Sequence, residues 1–179
     1  MAWRPALNRV HDNKPTSAAL RRDKQPQPHT GDSYRAPLRV PSGTGCRECG
    51  AVYDNGRWLW CATTRRTSQL VCPACRRILE HAPAAELWLQ GCGYLDAHRD
   101  EVLALLHHQA QGEQERHALE RLMRIDEQAG GMKVTTTGTH LLRRIGAALL
   151  RTHHGRLSIE YRDGDGLLRA RWSHADSDV

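Results

Sequence analysis

Apolar residues in the second half of the chain recur with two different periods, and the switches between them mark out elements. Residues 86–90 (Glu-Leu-Trp-Leu-Gln) alternate and predict a strand. From residue 95 to about 117, Leu95, Val102, Leu103, Leu106 and Ala110 fall on one face at helical spacing. Residues 119–127 alternate again. Ala129-Gly130-Gly131 then turns the chain into 132–137, a β-branched run that predicts a second hairpin arm. Thr139 is positioned to cap a helix over 140–153, with Leu141, Leu142, Ile145, Ala148 and Leu149 on one face, and Gly155 ends it. Strands at 157–161 and 168–172 flank the turn residues Asp163-Gly164-Asp165-Gly166. The order is β-α-β-β-α-β plus one further strand, and its first six elements match a ferredoxin-like split βαβ. That pattern places both helices on one sheet face. Its expected core is Leu106, Val134, Leu141, Ile145, Leu149, Ile159 and Trp172.

Upstream, short β-prone runs at 51–53 and 57–60 flank Asp54-Asn55-Gly56, a strong hairpin signal. Around this hairpin lie Cys46-Arg-Glu-Cys49 and Cys72-Pro-Ala-Cys75, with 22 residues between the pairs. Four thiolates at this spacing suit one tetrahedral Zn²⁺. A disulfide pair fits less well because no secretory signal opens the sequence, and a thioredoxin-type motif would stand alone. Gly50 lets the backbone curl so that amides face a cysteine sulfur. A short helix is expected at 76–81. Cys61 and Cys92 lie outside the pairing and read as free thiols, and His81 falls too late for the four-ligand scheme. The expected fold is α+β, an N-terminal zinc ribbon followed by a ferredoxin-like βαββαβ(β) domain. Its parts are a basic, Pro-rich flexible arm (1–44), the zinc-ribbon module (45–82), the α+β domain (85–173) and a flexible tail (174–179).

Charge sharpens this division. The chain has a net charge of +6 over 179 residues, and residues 1–44 carry eight basic and three acidic side chains with six of the eight prolines. Such a stretch buries too little to offset its ordering entropy and reads as a mobile arm, either one that lies along phosphates or a solvated, dispensable tail. Only Lys14, Lys24 and Lys133 are lysines among 26 basic residues. Arginine forks phosphate and stacks on bases, although GC-rich codon usage produces the same skew. There is no phenylalanine, so a metal staple for part of the chain makes physical sense. No apolar run approaches the ~20 residues of a membrane span. The expected setting is the cytoplasm.

The motif Cys46-x-x-Cys49-Gly50, then Gly56-Arg57-Trp58 and Cys72-Pro73-x-Cys75-Arg76-Arg77, resembles a group of small bacterial zinc-ribbon proteins. So does Val134-Thr135-Thr136-Thr137 followed by His140-Leu141-x-Arg143-Arg144-Ile145-Gly146. That resemblance covers roughly residues 29–173. A remoter one, to the adaptor family that exports the large ribosomal subunit (the nonsense-mediated decay protein three family), covers the knuckle and the Thr-rich strand plus helix. The adaptor carries further Cys pairs that this chain lacks. The resemblance implies a ribosome- or RNA-associated binding protein rather than an enzyme.

The residues themselves point to candidate contacts. His140, Arg144, Ala147 and Arg151 line one stripe of the second helix, and with Arg76, Arg77 and Arg143 they form the expected RNA-facing set. Trp88 among outward arginines is either a base-stacking platform or packing beneath the metal module. Catalytic patterns are missing: Pro73 follows Cys72 rather than preceding it as in the zinc deaminases, and there is neither a phosphate loop with Lys-Ser/Thr nor a Gly-x-Ser-x-Gly elbow. His107-His108 and His153-His154 lack paired carboxylates at metal spacing. The expected partners are RNA or a ribosomal particle, with a protein–protein adaptor role as the alternative and a nucleic-acid or nucleotide enzyme as a weaker third.

Overall fold

A computed structural model describes residues 32–34, 40–61, 68–161 and 166–174. Most of the expected basic arm, the tip of the last hairpin and the C-terminal tail fall outside these residues.

The first sheet is built from three-residue strands: β1 (Thr44–Cys46), β2 (Val52–Asp54), β3 (Arg57–Leu59) and β4 (Ser68–Leu70), in the order β3-β2-β1-β4. The expected hairpin joins β2 to β3. Asn55 (φ 45°) and Gly56 (φ 85°) both take left-handed backbone, as a tight two-residue turn requires. Strand β4, which has no alternation to announce it, lies parallel to β1 and returns the chain to the first cysteine pair. Helix α1 (Pro73–Leu79) follows, with Pro73 in its first turn.

The second sheet contains β5 (Ala85–Gln90), β6 (Leu122–Gln128), β7 (Gly131–Thr136), β8 (Arg156–Tyr161) and β9 (Leu168–Ser173). The helices between them are α2 (Cys92–Ala97), α3 (Arg99–Arg116) and α4 (Thr139–Thr152). The single helix expected over 95–117 is thus broken at His98, which ends α2 and begins α3. Thr139 is not the cap of α4. Gly138 takes that position without a side-chain bond, and the Glu120 carboxylate accepts from the Leu141 amide at 2.8 Å instead.

The strand order is β6-β7-β5-β9-β8. The split βαβ survives, since β7 lies antiparallel between β5 and β6. The ferredoxin-like order does not. That fold would set β8 beside β5, but β9 inserts there, parallel to β5, and β8 becomes an edge strand. Burial explains the choice. Leu168, Ala170 and Trp172 of β9 are buried, whereas Ile159 of β8 is 38% exposed and is not the core residue expected. From β8 it is Leu157 that reaches inward. It packs onto Gly146 so closely that a Cβ there would meet Leu157 Cδ2 at 2.7 Å.

The main core joins Leu87 and Leu89 of β5, Val102 and Leu106 of α3, Met132 and Val134 of β7, Leu141, Ile145 and Leu149 of α4, and Trp172. A second, smaller core holds Cys46, Ala51, Trp58, Cys72, Ala74 and Cys75 together with Ala118, which follows α3. Trp60 ties the two parts, its indole N–H donating to the Gln114 carbonyl at 2.6 Å. Two expected tails are partly fixed. Tyr34, from the expected mobile arm, lies under the Arg76 and Arg77 guanidinium groups, and His174 stacks on Tyr94 at 3.7 Å.

Candidate metal centre

The two cysteine pairs are shaped by different local devices. In the first, Gly50 (φ 78°) donates its amide to the Cys46 carbonyl at 3.0 Å, and Cys46 donates to Ala51 at 2.7 Å, closing a tight knuckle. In the second, Cys72 is the N-cap of α1, and the Cys75 amide donates to its sulfur at 3.5 Å. The Cys72 amide crosses to Cys46 Sγ at 3.3 Å.

These devices bring all four sulfurs within 4.8 Å of one another, with no disulfide among them. Cys49 Sγ and Cys72 Sγ are 3.8 Å apart. Sulfurs about 2.3 Å from a tetrahedral ion lie about 3.8 Å apart, whereas a disulfide needs about 2.05 Å. The expected ligand set Cys46, Cys49, Cys72 and Cys75 is therefore close enough to hold one metal ion.

The charge around the site is supplied by a residue that the sequence did not single out. Arg121, buried just ahead of β6, donates Nη2 to Cys49 Sγ at 3.0 Å and Nη1 to Cys75 Sγ at 3.2 Å. Its Nε donates to the Ala118 carbonyl at 2.9 Å, and its backbone amide to Thr137 Oγ1 at 2.8 Å. The Trp60 ring lies 5.3 Å from its guanidinium carbon. Four thiolates around a divalent ion carry a formal charge of about −2, and a fixed guanidinium offsets part of it in a site too buried for water to do so. Burial alone would lower the Arg121 pKa, but the hydrogen bonds and charges of Cys49 and Cys75 together outweigh it and raise the value.

Without a metal, Cys46, Cys72 and Cys75 are unequal. Burial opposes ionisation of Cys46, yet the amides of Cys72, Cys49 and Glu48 prevail and lower it to about 7. Burial pushes Cys75 up to about 11 against the pull of Arg121, and raises Cys72 as well. A metal entering this site must displace protons.

The five arginines expected to face RNA fall into two groups. On α1, Arg76 Nε lies 3.4 Å from Glu80 and its guanidinium sits over Tyr34. Arg77 is a correction: its side chain is 7% exposed, forks onto both oxygens of Asp32 at 2.6 Å and donates to the Ala82 carbonyl. On α4, Arg143 is half-buried and Arg151 is exposed, while Arg144 Nε turns to Glu113 Oε2 at 3.0 Å. His140, of the same stripe, also meets Glu113. The stripe is thus partly satisfied by a carboxylate from α3.

Trp88 is not among the residues of the cysteine core. It is half-buried on the polar face of β5, directly opposite Lys133 of β7 and Arg171 of β9. The Lys133 ammonium stands 5.8 Å from the indole centroid and 2.8 Å from Glu86. Arg124 and Arg169 lie on the same face one row along.

Cys61 is exposed and unbridged, while the side chain of Cys92 is outside the described set. No described helix is long and apolar enough to cross a membrane. No protein-family model, no curated protein and no solved structure matches the chain.

Proposed function

We propose that this is a cytoplasmic zinc protein that binds RNA, on the ribosome or an assembling subunit, and acts in ribosome assembly or translation. The metal is zinc on the chemistry of the donor set: four thiolates in a closed tetrahedron favour a borderline-soft ion without redox demands. A closed site leaves no position for substrate, so the metal fixes the fold rather than catalysing.

The observation that carries the RNA reading is Trp88 on the central strand with a cation on each side, Lys133 and Arg171. An indole accepts a base by stacking, worth about 1–3 kcal/mol per base, and the flanking cations meet the phosphates. Arg124 and Arg169 extend the basic surface on that face. The basic segment before residue 32 adds a field that speeds association.

A protein–protein adaptor role has its own support. Leu59, Trp60, Ile78 and Leu79 are exposed on the cysteine module, Leu79 at 59%. Exposed apolar side chains of this kind suit an apolar partner.

Salt separates the two. RNA affinity of wild type and of a Trp88→Ala/Arg171→Ala variant is measured over a salt series with structured ribosomal RNA. The RNA reading expects weaker binding by the variant and a shallower slope of log K against log salt, by about 0.7–0.9 per lost phosphate contact. Equal affinity and slope would remove the sheet surface from the account. Salt-insensitive capture of a protein, abolished by Leu79→Ser, would establish the adaptor.

A further inference from the structure

A second group of ligating side chains lies where α3 ends beside the start of α4. Glu113 occupies the last inward turn of α3 and is 1% exposed. Among the described residues neither oxygen makes a well-aligned hydrogen bond, although Arg144 forms an ion pair with Oε2, and an incompletely satisfied carboxylate is costly when buried. His117 Nε2 approaches Oε1 at 3.4 Å and His140 Nε2 approaches the same oxygen at 3.3 Å. Both imidazoles are 58% exposed. The other oxygen, Oε2, faces Arg144 Nε at 3.0 Å and Arg116 Nη2 at 3.9 Å.

We propose that Glu113, His117 and His140 form a second metal site, for a divalent transition ion, separate from the four cysteines. The three donor atoms lie within 4.8 Å of one another. Oxygen and nitrogen ligands about 2.0–2.1 Å from a tetrahedral ion stand about 3.3–3.4 Å apart, the separations found on both sides of Oε1. An ion there supplies the partner that Oε1 lacks. Arg144 and Arg116 hold Oε2 from behind and fix the carboxylate's orientation, as outer partners of metal ligands do. The arginines and the ion thus take different oxygens of one carboxylate.

Two imidazoles and a carboxylate select Zn²⁺, Co²⁺, Ni²⁺ or Fe²⁺ over Mg²⁺ and Ca²⁺. Three protein ligands leave at least one position open. His117 and His140 line a cleft of about 510 Å³ between the cysteine hairpin and the C-terminal domain, together with Arg57, Trp58, Arg116 and Leu119. The open position faces water or one anionic oxygen ligand in that cleft. The site is independent of RNA binding.

The test uses the full chain with its cysteine site loaded with zinc. Equilibrium dialysis against Co²⁺ is followed by metal analysis and absorption spectroscopy. The expected result is one further ion per chain, with visible cobalt bands but no thiolate-to-cobalt charge-transfer band. His140→Ala and His117→Ala each lose that ion, weakening it by more than the ~10–100-fold that removal of an outer partner costs. Both positions are exposed, and unchanged circular dichroism melting confirms the fold. His117→Gln and His140→Gln serve as second variants if either alanine form melts early. The proposal is overturned if wild type takes up no second ion, if the second ion survives both histidine replacements, or if it shows the thiolate band.

Discussion

Replacing Arg121 by Met removes the guanidinium while keeping most of the apolar stem, and it isolates the arginine's role at the four-cysteine site. Arg121 makes two bonds to sulfur, at 3.0 Å to Cys49 and 3.2 Å to Cys75, in a buried setting. Hydrogen bonds to charged groups contribute about 1.5–3 kcal/mol each. Part of this returns as the neighbouring Trp60 and water rearrange, so the net falls near the cost of losing an outer partner of a metal site. That is about 10–100-fold in affinity, or about 1.4–2.7 kcal/mol. Zinc affinity is read by competition with a chromophoric chelator at constant pH. Arg47→Met is the control, since Arg47 sits in the first knuckle but is 65% exposed and paired with its neighbour Glu48. The expected outcome is a 10–100-fold loss for Arg121→Met and no change for Arg47→Met. Equal affinity for wild type and Arg121→Met would refute the view that Arg121 stabilises the thiolates.

Three further outcomes follow from the packing and titration described above. Leu149→Ala, at a fully buried site of the main core, should cost about 2–5 kcal/mol in urea unfolding, whereas Ile159→Ala on the edge strand should cost under about 1 kcal/mol; similar losses would mean the strand order is wrong. Cys72→Ser should abolish metal binding at the four-cysteine site and loosen the smaller core while Trp172 stays buried in the main one, and loss of Trp172 protection by fluorescence quenching would contradict this. His153, whose Nδ1 lies 3.0 Å from the Tyr94 hydroxyl, has its pKa lowered from 6.5 by burial, with Glu101 opposing and His98 assisting. The unfolded chain therefore binds that proton more readily, so stability should fall as pH drops through 6.5, and His153→Gln should flatten the fall in a pH series of urea midpoints.

Several features were legible in the sequence because a single local rule governs each. Asn55-Gly56 can serve only a tight hairpin turn, and the spacing of the Cys pairs selected the four thiols that converge. Alternation assigned faces in the second sheet correctly for 86–90, 132–134 and 168–172, but alternation says which face a residue takes and not which strand lies beside it. Both 157–161 and 168–172 alternate. Their competition for the place next to β5 was decided by the bulk of Leu168 and Trp172, a tertiary effect. Strand β4 was invisible because Ser68-Gln69-Leu70 has no apolar period, and its backbone pairing with β1 does not depend on one.

Arg121 was missed because an arginine in an alternating stretch looks like part of a solvated face. Glu113 carried a signal that went unused. It continues the stripe of Val102, Leu106 and Ala110, where an acidic residue has no business unless it is paired, and His117 follows one turn later on the same stripe.

The insertion of β9 beside β5 also sets an order of events during synthesis. Strand β5 lies at the centre of its sheet, yet one of its two neighbours is the last of the described strands: Ala85 pairs with Leu168 and Gln90 with Ser173. A nascent chain can close β6 and β7 as a hairpin and place β7 on β5 as it emerges. It leaves the other edge of β5 unpaired until residues 168–173 clear the exit. Pairings so distant in sequence form slowly, and an apolar strand edge exposed meanwhile invites association with other chains. The cysteine module, by contrast, has all four thiols in hand by residue 75. Metal capture and sheet completion are thereby separated in time, with Arg121 joining the metal site only when the second domain arrives.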